Sequence, residues 1–266
     1  MNKKISILVF LFVMSSLLAA AQNNDTINQT GPNGLKQGYW EARYPNGSLR
    51  YKGIFKDGKP TGVFTRYFDN GEVFAIMQFI VDQQTTPTKI FYRNGKLAAE
   101  GNFVGEKKDG LWKYYSYYHE TLAAEETYVL GQRQGTSRKY HKDGTIIEEL
   151  DYQNHKKHGN WVQYFVDGSK KLVSHYQNDK RNGNFILYYP DGTMEAEGQY
   201  LDDFMHGEWK YYTDGGELDY QVDFEYGQPL NPEVLEEKSA AFFEMVEKNK
   251  DKIPEPDETN FLPSGQ

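Results

Sequence analysis

The chain has 266 residues, a formal charge of −8, 15% aromatic residues and no cysteine. Without cysteine there is no disulfide framework, no thiol nucleophile and no lipid-modified cysteine in this sequence. The acidic balance disfavours nucleic acid and anionic lipid headgroups, both of which reward clusters of Lys and Arg.

Lys3 and Lys4 precede an apolar run from Ile5 to Leu18, which ends in Ala19, Ala20 and Ala21. A basic start, a short apolar core and small residues describe a secretory signal peptide over residues 1–21, cleaved after Ala21. Its run is shorter than the roughly 20 residues of a spanning helix, so membrane contact is not expected after cleavage. Loss of Lys3 and Lys4 takes the formal charge from −8 to −10. The expectation is a soluble exported protein, periplasmic or extracellular. Residues 22–37 are polar and turn-rich and read as a flexible leader.

From residue 38 to 230 a fixed period of about 24 residues governs the chain, the mark of a repeat array. Units start at Gly38, Gly62, Thr86, Gly110, Gly135, Gly159, Gly183 and Gly207, with one inserted residue in the fourth. Counting each start as zero, plus two carries Trp40, Phe64, Trp112, Trp161, Phe185 and Trp209, and fails at Thr88 and Ser137. Plus seventeen is aromatic throughout: Phe55, Phe79, Phe103, Tyr128, Tyr152, Tyr176, Tyr200 and Phe224. Plus five is mostly Tyr, and plus nine is the Gly of an Asn-Gly or Asp-Gly turn in most units. Such dipeptides supply the positive φ of tight hairpins, so each unit reads as a β-hairpin, with a second turn leading to the next. The plus-five ring then faces the plus-eleven aliphatic across the hairpin, and these ladders are expected to supply the core.

The spacing G-x-W-x-x-Y-Y-x-N/D-G with a G-x-x-x-G connection resembles the MORN-repeat variant of bacterial YwqK-type antitoxin-like proteins, over residues 38–230. That resemblance implies an elongated antiparallel sheet acting as an interaction scaffold, in some relatives against phospholipid. It brings no catalytic residues, and the antitoxin role is one of its implications.

At Thr86-Pro87-Thr88 the start glycine and plus-two ring are both lost. Pro cannot donate to a ladder, so residues 82–88 read as an edge, a bulge or a break. Just before it, Phe74, Ile76 and Ile80 are apolar at positions of opposite parity to the regular columns, where other units carry Glu100, Glu149 or Asp151. An apolar patch on a polar face reads as a partner site, or as surface covered by the disturbed third unit.

After Leu230 the period stops. Asn231 suits an N-cap, Pro232 the first helical position, and Val234, Leu235, Lys238, Ala241, Phe242, Met245 and Val246 recur at helical spacing. Residues 231–250 are expected to form a helix capping the last hairpin, or alternatively to bind a partner. Residues 251–266, with Pro254, Pro256 and Pro263, read as a disordered tail.

Chemistry is sparse. His158 and His206 share a column two units apart, about 19 Å at about 4.8 Å per strand, too far to share a metal. The turns Lys156-Lys157 and Lys180-Arg181 read as solvated loops. No nucleophile elbow or phosphate loop is present, and no cofactor or metal site is expected. Tyr117, Tyr118 and Tyr220 stand outside the columns and are the rings a glycan would stack on. The expected fold is an all-β antiparallel meander of eight hairpins forming an elongated, twisted sheet, about 75 Å long at about 4.8 Å per strand, with a C-terminal helix. The expected role is a non-catalytic, exported scaffold binding a protein in the cell envelope. A toxin-neutralising protein and an envelope glycan-binding module are the alternatives.

Overall fold

The computed structural model describes residues 27–80 and 84–249. The signal peptide, the start of the leader, the start of the break and the tail lie outside the described residues. The chain divides into two units, one ending at Lys107 and one beginning at Lys108. Each is an antiparallel meander, as the hairpin reading requires.

The first unit contains β1 (Gln29–Thr30), β2 (Lys36–Arg43), β3 (Leu49–Lys56), β4 (Lys59–Tyr67), β5 (Val73–Phe79), β6 (Thr85–Phe91) and β7 (Leu97–Val104). Each strand pairs with the next. The second unit continues through β8 (Lys107–Tyr115), β9 (Leu122–Val129), β10 (Gln132–Arg133), β11 (Gly135–Tyr140), β12 (Ile146–Gln153) and β13 (Lys156–Tyr164). It ends with β14 (Lys170–Gln177), β15 (Lys180–Arg181), β16 (Gly183–Tyr188), β17 (Met194–Leu201), β18 (Phe204–Tyr212), β19 (Leu218–Glu225), β20 (Gln228–Pro229) and α1 (Pro232–Asn249).

Two departures concern the ends of expected segments. The leader is paired from Gln29, which lies opposite Gln37. The stretch around Pro87 is no edge: β6 pairs with β7 along its length, while its pairing to β5 begins only at Thr88, one residue past the proline that has no N–H to donate.

Every unit start faces its own plus-seventeen ring across the hairpin, from Gly38 opposite Phe55 to Gly207 opposite Phe224. Gly62 shows why glycine is used there: its φ is +65°, a region other residues avoid, and an added Cβ would meet nothing within 4 Å. A different column, plus fifteen, needs glycine for space. A Cβ on Gly53 would lie 2.3 Å from the Phe64 ring, and one on Gly198 2.2 Å from the Trp209 ring. The plus-two ring of one hairpin thus crosses the backbone of the hairpin before it. Ser174 occupies the same column, fully buried, with no hydrogen-bond partner for its Oγ.

The two turn types are the reverse of a simple Asn-Gly reading. In the Asn-Gly and Asp-Gly hairpin loops only the glycine takes positive φ, as at Gly47 (φ 87°), and in the fourth loop Glu120 takes its place (59°). The preceding Asn or Asp works through its side chain: Asn46, Asn70, Asn94, Asp143, Asp167 and Asp191 each accept the backbone N–H two residues on. The connecting turns instead place two successive residues at positive φ, as at Asn178 (52°) and Asp179 (72°).

A register shift between plus four and plus five recurs in the hairpins. The plus-five ring does pair with plus eleven, as Tyr67 with Val73 and Tyr188 with Met194. It does not join the core, which is built from plus two, plus thirteen, plus fifteen and plus seventeen. Trp112, Trp209 and Val222 are almost fully buried, with Phe224, Leu150, Leu172 and Ala196 close behind. Rings pack edge to face, Tyr200 on Trp209 at 5.1 Å and Phe185 on Tyr200 at 5.5 Å between centroids.

The basic turns also have structural work. Lys157 lies 4.8 Å above the Tyr176 ring and Arg181 4.0 Å above Tyr200, as Arg133 does over Tyr152 at 4.1 Å. Lys36 reaches three rings, those of Trp40, Tyr51 and Phe55.

Helix α1 caps the last hairpin through its first turns. Val234 and Leu235 pack on Trp209, Val222 and Phe224, and Lys238 pairs with Asp219. Asn231 is not a side-chain N-cap. Its backbone carbonyl accepts the Val234 N–H at 3.3 Å, while its amide is given to β19. Phe242, Phe243 and Met245 remain exposed.

Candidate functional site

Strand alternation separates the packing columns from plus three and plus fourteen, which form a row across each unit. In the second unit cross-strand pairing carries this row without a gap from Lys113 through Glu125, Arg138, Glu149, Val162, Val173, Ile186 and Glu197 to Lys210. Its ends are charged and its centre is three directly opposed aliphatics, half-buried.

The register shift brings the plus-five tyrosines to this carboxylate face. Tyr140 donates to Glu125 at 2.8 Å, Tyr164 to Glu149 at 2.8 Å and Tyr212 to Glu197 at 2.7 Å. Arg138 also donates to Glu149 at 2.8 Å. Burial, then the Glu125 carboxylate, pushes the Tyr140 hydroxyl up to about 12. These carboxylates are therefore held in place, with acceptor sites to spare.

Beside Ile186 a groove of about 300 Å³ is lined by Asn184, Ile186, Glu197, Gln199, Glu208 and Lys210. Lys210 reaches Glu208 at 2.7 Å. The first unit has a row of the same kind, Glu41, Lys52, Thr65, Ile76, Lys89 and Glu100, with Ile76 as its aliphatic member. Ile76 lines a groove of about 360 Å³ with Gln78, Pro87, Lys89, Glu100 and Asn102.

The structure separates the three residues of the apolar patch read from the sequence. Ile76 stands on the row. Phe74 falls at the register shift, its ring 5.0 Å from Phe68 with the Arg66 guanidinium 5.5 Å away. Ile80 lines another hollow, with Pro60, Thr61, Phe79 and Thr86. The Val162, Val173 and Ile186 stripe was missed. Its signal was present, since the three share the parity of Ile76, but it becomes a patch only when three strands are aligned.

The packing face has polar sites where its columns fail. Next to Ser137, Glu148 accepts the Trp161 indole N–H at 3.1 Å and the Gln163 amide at 3.2 Å and pairs with Lys139 at 2.9 Å. Burial pushes its carboxyl up, but these donors outweigh burial and hold it below its ordinary value. Nearby, the Lys108 ammonium donates to the Tyr114 hydroxyl at 2.7 Å, and burial lowers its pKa. Tyr128 donates to Glu126, which also meets Arg133. The polar groups of this cluster are spent on one another.

The remaining candidates resolve simply. Among the described residues no group of three or more His, Asp or Glu side chains could hold a metal. His158 and His206 each keep a buried Nδ1 without a hydrogen-bond partner. Tyr220 stacks on Tyr211 at 4.5 Å, whereas Tyr117 and Tyr118 are exposed and touch edge to face. No described helix is long and apolar enough to cross a membrane.

The model of the MORN repeat variant matches residues 36–57, 85–104, 133–154, 181–202 and 205–226. No curated protein matches. Among solved structures, the chain is similar to the crystal structure of TcdB2-TccC3-TEV at 11% identity and a TM-score of 0.20, over 74% of this chain and 12% of that one. It is similar to the GtfA/B complex bound to UDP and GlcNAc at 14% identity and a TM-score of 0.19, over 73% of this chain and 38% of that one. For the Photorhabdus luminescens Tc holotoxin pore the values are 10% and 0.19, over 73% and 12%. The chain thus spans well under half the length of these structures. Five segments of this chain thus match the MORN repeat variant, and Ile186 lies within one of them, whereas Ile76, Val162 and Val173 lie between them.

Proposed function

We propose that the protein is a non-catalytic interaction scaffold, exported by its N-terminal segment, that engages a protein partner through the carboxylate face of its hairpins. The observation that carries this reading is the division of labour between faces. On one, rings and small residues fill the space and satisfy one another. On the other, fixed carboxylates and half-buried aliphatics line open grooves at Ile76 and at Ile186. MORN repeats are in general modules that bind proteins or membranes, which agrees. The acidic surface favours the protein over anionic lipid.

The test is affinity capture from the native envelope fraction with the chain from Gln22 as bait, in parallel with the Ile76→Lys variant. The reading expects one stoichiometric protein, retained less by the variant, and a small toxic partner would make the scaffold a neutraliser. Retention of glycan alone, or of nothing, would refute it. N-terminal sequencing of the native protein should begin at Gln22, and an intact Met1 would contradict export by cleavage.

A further inference from the structure

The stripe of Val162, Val173 and Ile186 has a geometry and a charge that define what can lie on it. Its three side chains stand on β13, β14 and β16, directly opposed, so they are spaced by the strand separation of about 4.8 Å and span about 10 Å. A helix laid across the strands presents side chains at i, i+3 or i+4, and i+7, with a rise of about 5 Å per step and about 10.5 Å in all. An extended segment repeats every second residue, at nearly 7 Å, and loses register after one contact. The stripe therefore matches a helix.

Charge then selects the kind of helix. Glu149 and Glu197 bracket the stripe as the next residues on the row. On this row and on the plus-one and plus-sixteen positions beside it, from β11 to β19, Glu149, Asp151, Glu197, Glu208 and Asp223 outnumber Arg138 and Lys210. Glu149 already accepts from Tyr164 and from Arg138, and Glu197 from Tyr212, so both positions are fixed before a ligand arrives. At the Ile186 end the groove gives a long basic side chain an aliphatic wall for its stem and Glu197 for its head. Asn184 and Gln199 offer amides to the helix's own polar flank.

We propose that this stripe docks a basic amphipathic helix of a protein partner. Three apolar side chains lie on Val162, Val173 and Ile186, and a Lys or Arg about one turn before and after meets Glu149 and Glu197. The assignment rests on the scaffold reading above and names its partner class.

The test uses the chain from Gln22 and fluorescence anisotropy with alanine-based helical peptides. The probe carries leucine at i, i+3 and i+7 with a lysine one turn to either side. Two controls replace the lysines by glutamate or the leucines by serine. The probe should bind, and each control should bind at least about tenfold more weakly, as expected for losing one buried side chain or reversing the charge. On the protein, Val173→Lys should weaken the probe at least about tenfold and Glu197→Gln by about threefold. Val173→Thr, which keeps the side-chain shape, should weaken it severalfold if the lysine variant fails to fold. Equal binding of probe and controls, or binding unchanged in both Val173 variants, overturns the assignment. A native partner retained undiminished by Val173→Lys but lost by Ile76→Lys would overturn it while leaving the scaffold intact.

Discussion

Asn231 hydrogen-bonds like a strand residue against Asp223. Its Oδ1 accepts the Asp223 N–H at 2.9 Å, and its Nδ2 donates to the Gln221 carbonyl at 3.3 Å, so the side-chain amide closes part of the backbone of β19. Asn28 acts similarly on β2, its Oδ1 accepting the Glu41 N–H at 2.9 Å. Open strands recruit other strands, and both devices blunt that tendency.

Asn231→Ala should therefore cost about 1 kcal/mol in urea unfolding. It should also produce concentration-dependent association in sedimentation velocity. A variant that loses stability but stays at the wild-type sedimentation coefficient would show that the amide braces the helix rather than guarding the edge.

Ser174→Ala should be neutral or stabilising, by up to about 1 kcal/mol, because the buried Oγ has no partner to lose. The urea midpoint measures this directly. A loss comparable to an ordinary core truncation would reveal an unseen partner for the hydroxyl.

Two glycines should respond in a definite order. Gly62→Ala carries only the cost of positive φ, about 1 kcal/mol, since its Cβ would stand in open space. Gly198→Ala forces a Cβ into the Trp209 ring and should cost about 2–3 kcal/mol. Thermal unfolding of the two variants would settle the order, and Trp209 should become more solvent-exposed only in the second.

Glu148 makes stability depend on pH. Its carboxyl titrates below its ordinary value of 4.5 in the folded chain. Its contribution is therefore full above that value and is lost as pH falls through the lower folded pKa. Between about pH 6 and pH 3 the wild type should lose more stability than Glu148→Gln, and the Trp161 indole N–H resonance should shift in the same window. Parallel pH profiles for the two proteins would count against this pairing.

The period exposed the hairpins and the opposition of each start position to its plus-seventeen ring, because both depend on spacings that recur in every unit. Less legible was whatever depended on a register shift. The shift between Leu187 and Tyr188 and its equivalents sends the plus-five column to the carboxylate face, a change of side that no alternation pattern displays. The space requirement at Gly198 arises from a ring eleven residues away. Val162, Val173 and Ile186 belong to different hairpin strands and look unremarkable one at a time.

One face of the hairpins packs, and in the proposed scaffold the other binds. Hydroxyl-radical footprinting of the captured complex distinguishes the two faces. The prediction is protection of Ile76, Val162, Val173 and Ile186, with Tyr118, Phe242 and Phe243 labelled as in the free protein. Protection confined to Phe242, Phe243 and Met245, or to the hairpin loops, would contradict it.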